Sequence, residues 1–464
     1  MIWEKMGLLF DPARFDEFSS YVGFAQSPQA LVLDDRVRIY FSIRKRSANG
    51  KFISHIQYIE TSRDFRQILD TSKGTVIAPG ALGTYDEHGI FPMNVLAEKD
   101  RVLGYISGWS RRSSVSVDTG IGVVVSEDGG QTFRRIGDGP VLTASLHEPF
   151  LVGDPFVHVF DGVFHMWYIY GKRWERQHLG AEPERTYVIA HATSNDGFVW
   201  EKEGRDIIEA KSDAECQALP TVVEVNGRYH MFFCKRQSFN FRANTNRGYR
   251  IGYAWSDDLK NWTRDDQACG LEKSSAGWDS EMMCYPNAFK CNDQVYMLYN
   301  GNEFGRHGFG IARLRSDLQD FTVKIDTADP VQLHQYLLSC DEQFNPRLST
   351  HVNLLIYAEK LHTKSVRFEM RQGQELVGLV AAYLNAQDRQ TGFITHISVL
   401  STYLRKGLAR LLIERCMEHA RAEGFAELRL EVLPGNTGAL KLYKRLGFKS
   451  NGQTETGKIM SLSF

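Results

Sequence analysis

Apolar and polar positions alternate in short runs along the first two thirds of the chain, broken by turn residues, which is the pattern of half-buried β-strands. The text repeats itself. Prolines stand at 28, 92, 155, 220 and 286, at intervals of 64, 63, 65 and 66 residues, and thirteen residues after each comes an aromatic: Phe41, Tyr105, Tyr168, Phe233 and Tyr299. Between them run strand–turn–strand texts such as PFVHVFDGVFHMWY and PTVVEVNGRYHMFF, whose Asp-Gly and Asn-Gly pairs signal tight hairpins. A second landmark, a serine followed by acidic or polar residues and an aromatic, begins at Ser62, Ser126, Ser194, Ser256 and Ser316. About 65 residues hold four strands with their turns, and five such sheets arranged radially make a β-propeller. The opening Trp3-Glu4-Lys5 text resembles Trp200-Glu201-Lys202 after a later landmark. The N-terminus is therefore expected to complete the last blade and protect its edge. The propeller is expected to span 1–326.

From 331 to 464 the rhythm changes to mixed α/β. Helical spacing marks 331–339 and 352–362, and strands are expected at 366–370, 375–384 and 392–400. The segment GLARLLIERCMEHARAEG puts Leu408, Leu411, Leu412 and Cys416 on one helical face, and Gly424 ends it. A strand at 427–433 and a helix at 437–446 follow, the latter with Ala439, Tyr443 and Leu446 on one side.

Composition adds limits. Hydrophobic residues are 42% and charged residues 24%, enough for a real core, and a net charge of −1 gives no sign of a nucleic-acid partner. The first dozen residues make neither a secretory signal nor a membrane span. Seven cysteines, an odd number without a CxxC pair, point to reduced thiols in the cytoplasm and to no metal site.

In a propeller the residues just before the repeated prolines converge on the central funnel. They bring Glu87, Glu148, Asp154, Glu215 and Glu281 toward one axis, with Tyr285, Trp109, Trp167 and Trp174 as stacking rings. Carboxylates beside aromatic rings suit sugar recognition. Residues 20–325 resemble the five-bladed glycoside hydrolases of families 32 and 43. That resemblance implies Asp154, in Gly-Asp-Pro, and Glu215, in Glu-Cys, as catalytic carboxylates. It also exposes a departure: Gln26-Ser27-Pro28 stands where an Asn-Asp-Pro is expected, and serine cannot serve as carboxylate base or nucleophile. The loss favours a binding or repurposed site. Glu87, Glu281, Trp167 and Arg44 are candidate substrate contacts, Arg44 for an anionic group.

The texts YLRKGLARLL and LPGNTGALKLYKRLGF make residues 331–464 similar to the GNAT family of acyl-CoA N-acyltransferases. The resemblance implies acetyl-CoA as cosubstrate and a backbone contact to its pantetheine arm from Ile397, Ser398 and Val399. Diphosphate binding falls to the turn of Arg405, Lys406, Gly407, Leu408, Ala409 and Arg410. Physical reasoning agrees: a cation-rich turn with a glycine, feeding a helix N-terminus, suits a pyrophosphate. Leu404 and Arg405 depart from the family's usual first and second loop residues. Tyr443 is expected to give a proton or hydrogen bond to the leaving thiolate, His396 to act as base, and Asn436 to contact the cofactor or cap the last helix. The expectation is an acetyl-CoA-dependent N-acetyltransferase acting on a free or nucleotide-linked amino sugar for a surface glycan. An active glycosidase joined to the acetylase, and a protein acetylase with a propeller platform, are the alternatives.

Overall fold

The computed structural model of the protein describes residues 1–318, 320–433 and 435–464. The chain divides into two compact units, Met1–Ser316 and Asp317–Phe464.

The first unit holds, among the described residues, five four-stranded sheets, each built from strands in sequence order except the last. The first blade is Gln26–Val32, Val37–Arg46, Phe52–Thr61 and Ile68–Thr71. The second is Ile90–Glu98, Arg101–Ser110, Asp118–Ser126 and Arg134–Arg135. Blade three comprises Val152–Phe160, Val163–Glu175, Glu184–Ser194 and Glu201–Lys202, and blade four Glu215–Val225, Arg228–Gln237, Arg250–Ser256 and Thr263–Arg264. In the fifth, Cys284–Cys291, Gln294–Asn300 and Phe309–Leu314 are completed by the N-terminal strand Trp3–Phe10, paired antiparallel to Phe309–Leu314. The outer edge of the last blade is thus closed by the start of the chain, as the opening text suggested.

Both sequence landmarks have physical causes. Each inner strand carries a bulge at its proline, between Gln26 and Gln29, Ile90 and Met93, Gly153 and Phe156, Ala218 and Thr221, and Cys284 and Asn287. In four blades the residue before the proline is left-handed: Ser27 (φ 53°), Asp154 (φ 52°), Leu219 (φ 46°) and Tyr285 (φ 58°); in the second blade the Phe91–Pro92 bond is cis. Just past the bulges, side chains tie neighbouring inner strands together. Gln29 Oε1 accepts from Asn94 Nδ2 and Asn287 Nδ2, each at 3.2 Å, Asn287 Oδ1 accepts from Ala30 N, and Asn94 Oδ1 accepts from Val157 N. The serine landmark is a turn. Ser62, Ser126, Ser194 and Ser256 donate to Asp64, Asp128, Asp196 and Asp258, whose carboxylates accept backbone N–H groups further on. The hairpins at Asp161-Gly162 and Asn226-Gly227 have positive φ at both central residues, the type I′ geometry their sequence signals.

The second unit is a mixed sheet between helices. Its elements are β1 (Phe321–Ile325), α1 (Pro330–Cys340), α2 (Leu354–Lys364), β2 (Val366–Gln372), β3 (Glu375–Tyr383), β4 (Thr391–Val399), α3 (Leu408–Ala422), β5 (Glu427–Val432), α4 (Thr437–Arg445), β6 (Lys449–Gln453) and β7 (Lys458–Ser463). The sheet order is β1-β2-β3-β4-β5-β7-β6. Residues 321–325, expected in the propeller, pair with β2 instead, so the first unit ends at Ser316 and not at Asp326. Phe321 is buried against this sheet while the rest of the strand is half to fully exposed, a pattern too short to assign from sequence. Leu333, Leu337, Ala358 and Leu361 bury the helical faces of α1 and α2 against Leu379 and Ala381 of β3. The amphipathic α3 buries Leu408, Leu412, Ile413, Cys416 and Ala420.

Candidate functional site

In the second unit the site starts with a strand whose edge is left unpaired. β4 pairs antiparallel with β3 from Phe393 to Val399, but its parallel pairing with β5 covers only Thr391–Ile394 against Glu427–Leu430. Beyond Ile394 the two strands part. Leu400 N–H donates to Val377 O at 2.9 Å, which sets the phase of the ladder. Ser398 therefore directs its backbone groups to β3, whereas Ile397 and Val399 direct theirs to the open edge. Of the three residues expected to meet the pantetheine arm, Ser398 offers no main-chain group there, because backbone polarity alternates along a strand. The Val399 carbonyl is also engaged: with its amide oriented to satisfy both groups, Gln343 donates to Val399 O at 2.8 Å and accepts from Ser401 N at 3.1 Å. Gln343 was not singled out by its sequence, since it lies in a short 3-10 turn after α1 without a motif.

The helix after this strand begins without a side-chain cap. Gly407 is its N-cap, at φ 82°, and no side chain accepts the first-turn N–H groups. A Cβ is strained at that φ, so the glycine keeps the turn open and backbone approach close. Arg405, also left-handed at φ 64°, and Lys406 are exposed in the turn, and Ala409 is half-buried. Leu408 is buried and anchors the helix start, so its contribution is through backbone N–H. The Arg410 guanidinium bonds Glu414 at 2.8 Å, and Lys406 lies 5.5 Å from the Phe321 ring and 5.4 Å from that of Tyr403. Leu404 is exposed and has no polar group to offer. Free N–H groups, the positive end of a helix and nearby cations suit a diphosphate, so these residues fit coenzyme A.

His396 is placed inward. Its Nε2 lies 2.7 Å from Ser398 Oγ, which meets Tyr336 Oη at 2.8 Å, and burial drives its pKa down to about 4. The ring is neutral at physiological pH and is packed near Phe344 and Tyr357. Tyr443 is buried on α4, its ring 6.2 Å from Phe448, and its hydroxyl forms no hydrogen bond among the described residues. Burial pushes its pKa up to about 12, so it holds its proton. Asn436 caps α4 by accepting from Ala439 N at 3.1 Å, the second of its two expected roles.

One acidic residue escaped the sequence reading. Leu430 is in register with Ile394 and Ile394 with Ala382, whereas His396 is opposite Ala381 because a bulge at Thr395 changes the phase. Glu431 thus shares a sheet face with His396, at the point where β5 leaves β4. The side chain is exposed, and its Oε1 accepts from the hydroxyls of Thr454 and Thr456. Only the register, which is not written in any local motif, brings it to this place.

In the first unit, Ser27, Phe91, Asp154, Leu219 and Tyr285 occupy the bulges nearest the axis. Phe91 and Tyr285 meet at 5.4 Å, and Tyr285 meets Tyr249 at 5.6 Å. Asp154 is half-buried in this wall, and desolvation raises its carboxyl pKa to about 7 against the opposing backbone bond from Leu219 and the charge of Arg185. The other acids expected here are not comparable. Glu215 is buried in a two-pronged ion pair with Arg264, at 2.6 and 3.1 Å, and accepts from Gln217. Arg264 also binds Asp266, so the Glu215 carboxylate is a fixed structural partner and has no freedom to serve as general acid. Glu148 is buried between Tyr168 Oη and Lys202. Glu87 accepts from Gly83 N and faces His88, while Glu281 is exposed on a loop whose backbone is held by Asn302. Trp167 is wholly buried between His165, His191 and Trp262. It packs in the apolar cluster shared by blades three and four, and with no exposed surface it cannot meet a ligand in the funnel. Trp109 stacks on His88, and Trp174 lies under Arg185.

Among the described residues no group of His, Cys, Asp or Glu is arranged to hold a metal ion, and no helix is long and apolar enough to cross a membrane. All seven cysteines are free and buried.

Comparison with known proteins fits both halves. The Acetyltransferase (GNAT) family matches residues 332–448. The chain is 34% identical over 95 residues to the [Ribosomal protein bS18]-alanine N-acetyltransferase of Escherichia coli K12, covering 20% of this chain and 60% of that one. Along 68% of its length it is 32% identical to an uncharacterized protein of Mycobacterium tuberculosis H37Rv, which is matched from end to end. In fold, a glycoside hydrolase superposes on 67% of this chain and 90% of its own, with a TM-score of 0.52 at 16% identity. The chain therefore belongs to the family of that mycobacterial protein, and it joins a five-bladed, glycoside-hydrolase-like propeller to a GNAT N-acetyltransferase domain.

Proposed function

We propose that the protein transfers an acetyl group from acetyl-CoA to the amine of an amino sugar, free or nucleotide-linked, in the making of a surface glycan inside the cell. The observation that carries the transfer is the unpaired β4 edge at Ile397 and Val399 beside the uncapped α3 N-terminus at Gly407. The turn of Arg405, Lys406 and Gly407 and the first N–H groups of α3 would hold the diphosphate, and Ile397 N–H would face the thioester arm. Bound acetyl-CoA supplies the activated acetyl group. The chain's own residues do the rest: Ile397 N–H donates toward a developing oxyanion, Tyr443 donates its proton to the departing sulfur, and Glu431 takes the proton from the attacking amine. His396 is a positioning residue in this account, since a buried imidazole with a pKa near 4 is a weak base.

The sugar acceptor rests on the funnel, where aromatic rings and Asp154 surround the axis of a sugar-hydrolase-like fold. Ser27 at the first bulge and the fixed Glu215 favour binding over glycosidic cleavage. A peptide amine is the second reading, favoured by the bacterial relative whose name specifies a ribosomal protein alanine. Thiol release from acetyl-CoA, followed with a panel of amino sugars, nucleotide amino sugars and a short peptide bearing N-terminal alanine, separates the two. Turnover with a sugar and not the peptide supports the proposal; turnover with the peptide alone overturns it.

A further inference from the structure

The guanidinium of Arg44 is in an unusual state for this protein. Other deeply buried arginines donate to acceptors of the chain: Arg38 to Glu60 and Gly129 O, Arg236 to Gln237 O and Ser238 O, Arg264 to Glu215 and Asp266, and one terminal nitrogen of Arg367 to the carbonyls of Leu361, His362 and Ser365. Arg44 is half-buried, yet its side chain makes no hydrogen bond or ion pair among the described residues. It lies 4.4 Å above the Phe24 ring and 5.9 Å from that of Phe52. Burial lowers its pKa, with Tyr285 opposing and Arg242 reinforcing the shift, so both residues are close enough to act on its charge. A half-buried guanidinium to which the chain offers no acceptor is a ready partner for a carboxylate or phosphate.

A second observation comes from the neighbouring bulge. Three residues after Phe24, Ser27 has its N–H bound by Asn300 Oδ1 at 2.8 Å, but its hydroxyl is buried and has no partner. Ser27 and Tyr285 occupy equivalent bulges on the first and fifth blades, which are adjacent in the ring. An orphan hydroxyl, a tyrosine face and an unpaired guanidinium thus lie on one side of the funnel. Asp154, bonded by the Leu219 backbone and acted on by Arg185, stands on the other.

We propose that the funnel binds a sugar carrying an anionic substituent, a carboxylate or a phosphate, with Arg44 as its counter-ion. The ring stacks on Phe91 and Tyr285, and Asp154 meets hydroxyl or amino groups on the far side. This deepens the carbohydrate reading of the propeller and rests on it, but it does not depend on the acetyl transfer.

The test is calorimetric titration of the full-length protein with D-glucose, D-glucuronate and D-glucose 6-phosphate. At least one anionic probe binds ten-fold or more tightly than glucose, and whichever does so identifies the anion. Arg44→Met brings that probe down to the glucose level, Arg44→Lys keeps part of the preference, and Arg44→Met stays folded with a melting temperature close to wild type, because no hydrogen bond or ion pair is lost and the methionine keeps an apolar contact with Phe24. Equal or absent binding of all three probes overturns the proposal, as does a preference that survives Arg44→Met. Unfolding of Arg44→Met also overturns it, by showing a structural role. Thiol release in the second unit does not use Arg44, so loss of turnover with the anion preference intact sinks only the acetyl-acceptor reading.

Discussion

At the scale of single residues, burial decides which groups act and which support. Tyr443 keeps its proton to about pH 12, as a donor must, while Glu431 is exposed and held by two threonine hydroxyls. Tyr443→Phe is expected to lower kcat for acetyl transfer about 100-fold with the affinity for acetyl-CoA retained, and Glu431→Gln to lower it comparably. Steady-state kinetics with binding measured separately checks both. Asp154 gives a stability test. Its folded pKa, about 7, lies above the ordinary value of 3.8, so the folded state holds the proton longer than the unfolded chain. Its contribution is present in full below about pH 4 and is lost as pH rises to about 7. Asp154→Asn should match wild type near pH 4 and be more stable above pH 7, by about 1–3 kcal/mol in denaturant titrations. Tyr443 was legible in its motif, but the rest was not: Asp154 and Glu215 both precede a repeated proline, and only the fold shows that Arg264 immobilises the second. Trp167 failed for a related reason, because a strand residue's face is fixed by register and not by its distance from a proline.

Secondary-structure elements were easier to read. Five prolines, five aromatics and the serine landmark gave the blades, since each marks a bulge, a blade core or a turn that the repeat cannot do without. Phe321–Ile325 was misassigned because one strand of an edge, with a single buried residue, carries no periodicity of its own. The glycine-capped helix was equally plain, and its function is testable. Gly407→Val forces a β-branched side chain to φ 82°, at about 1–2 kcal/mol of strain, and should weaken coenzyme A binding about ten-fold or more, read by calorimetry. In the propeller, Arg264→Leu leaves the Glu215 carboxylate buried and unpaired; a loss of about 3–5 kcal/mol in unfolding free energy is expected in denaturant titrations.

For the whole molecule, the sequence divides into two textures and the chain into two units, Met1–Ser316 and Asp317–Phe464. The superposed glycoside hydrolase speaks for the fold of the first; the GNAT family match, and the parting of β4 from β5, speak for the chemistry of the second. The central claim is that the second unit holds acetyl-CoA along the open β4 edge and at the Gly407 turn. Titration of the intact protein with acetyl-CoA, read by calorimetry and by hydrogen exchange, tests it most directly. The account predicts one site per chain, weakened by salt, with exchange slowed at Ile397, Val399 and residues 407–410; saturable binding that protects none of these, or no binding at all, contradicts it.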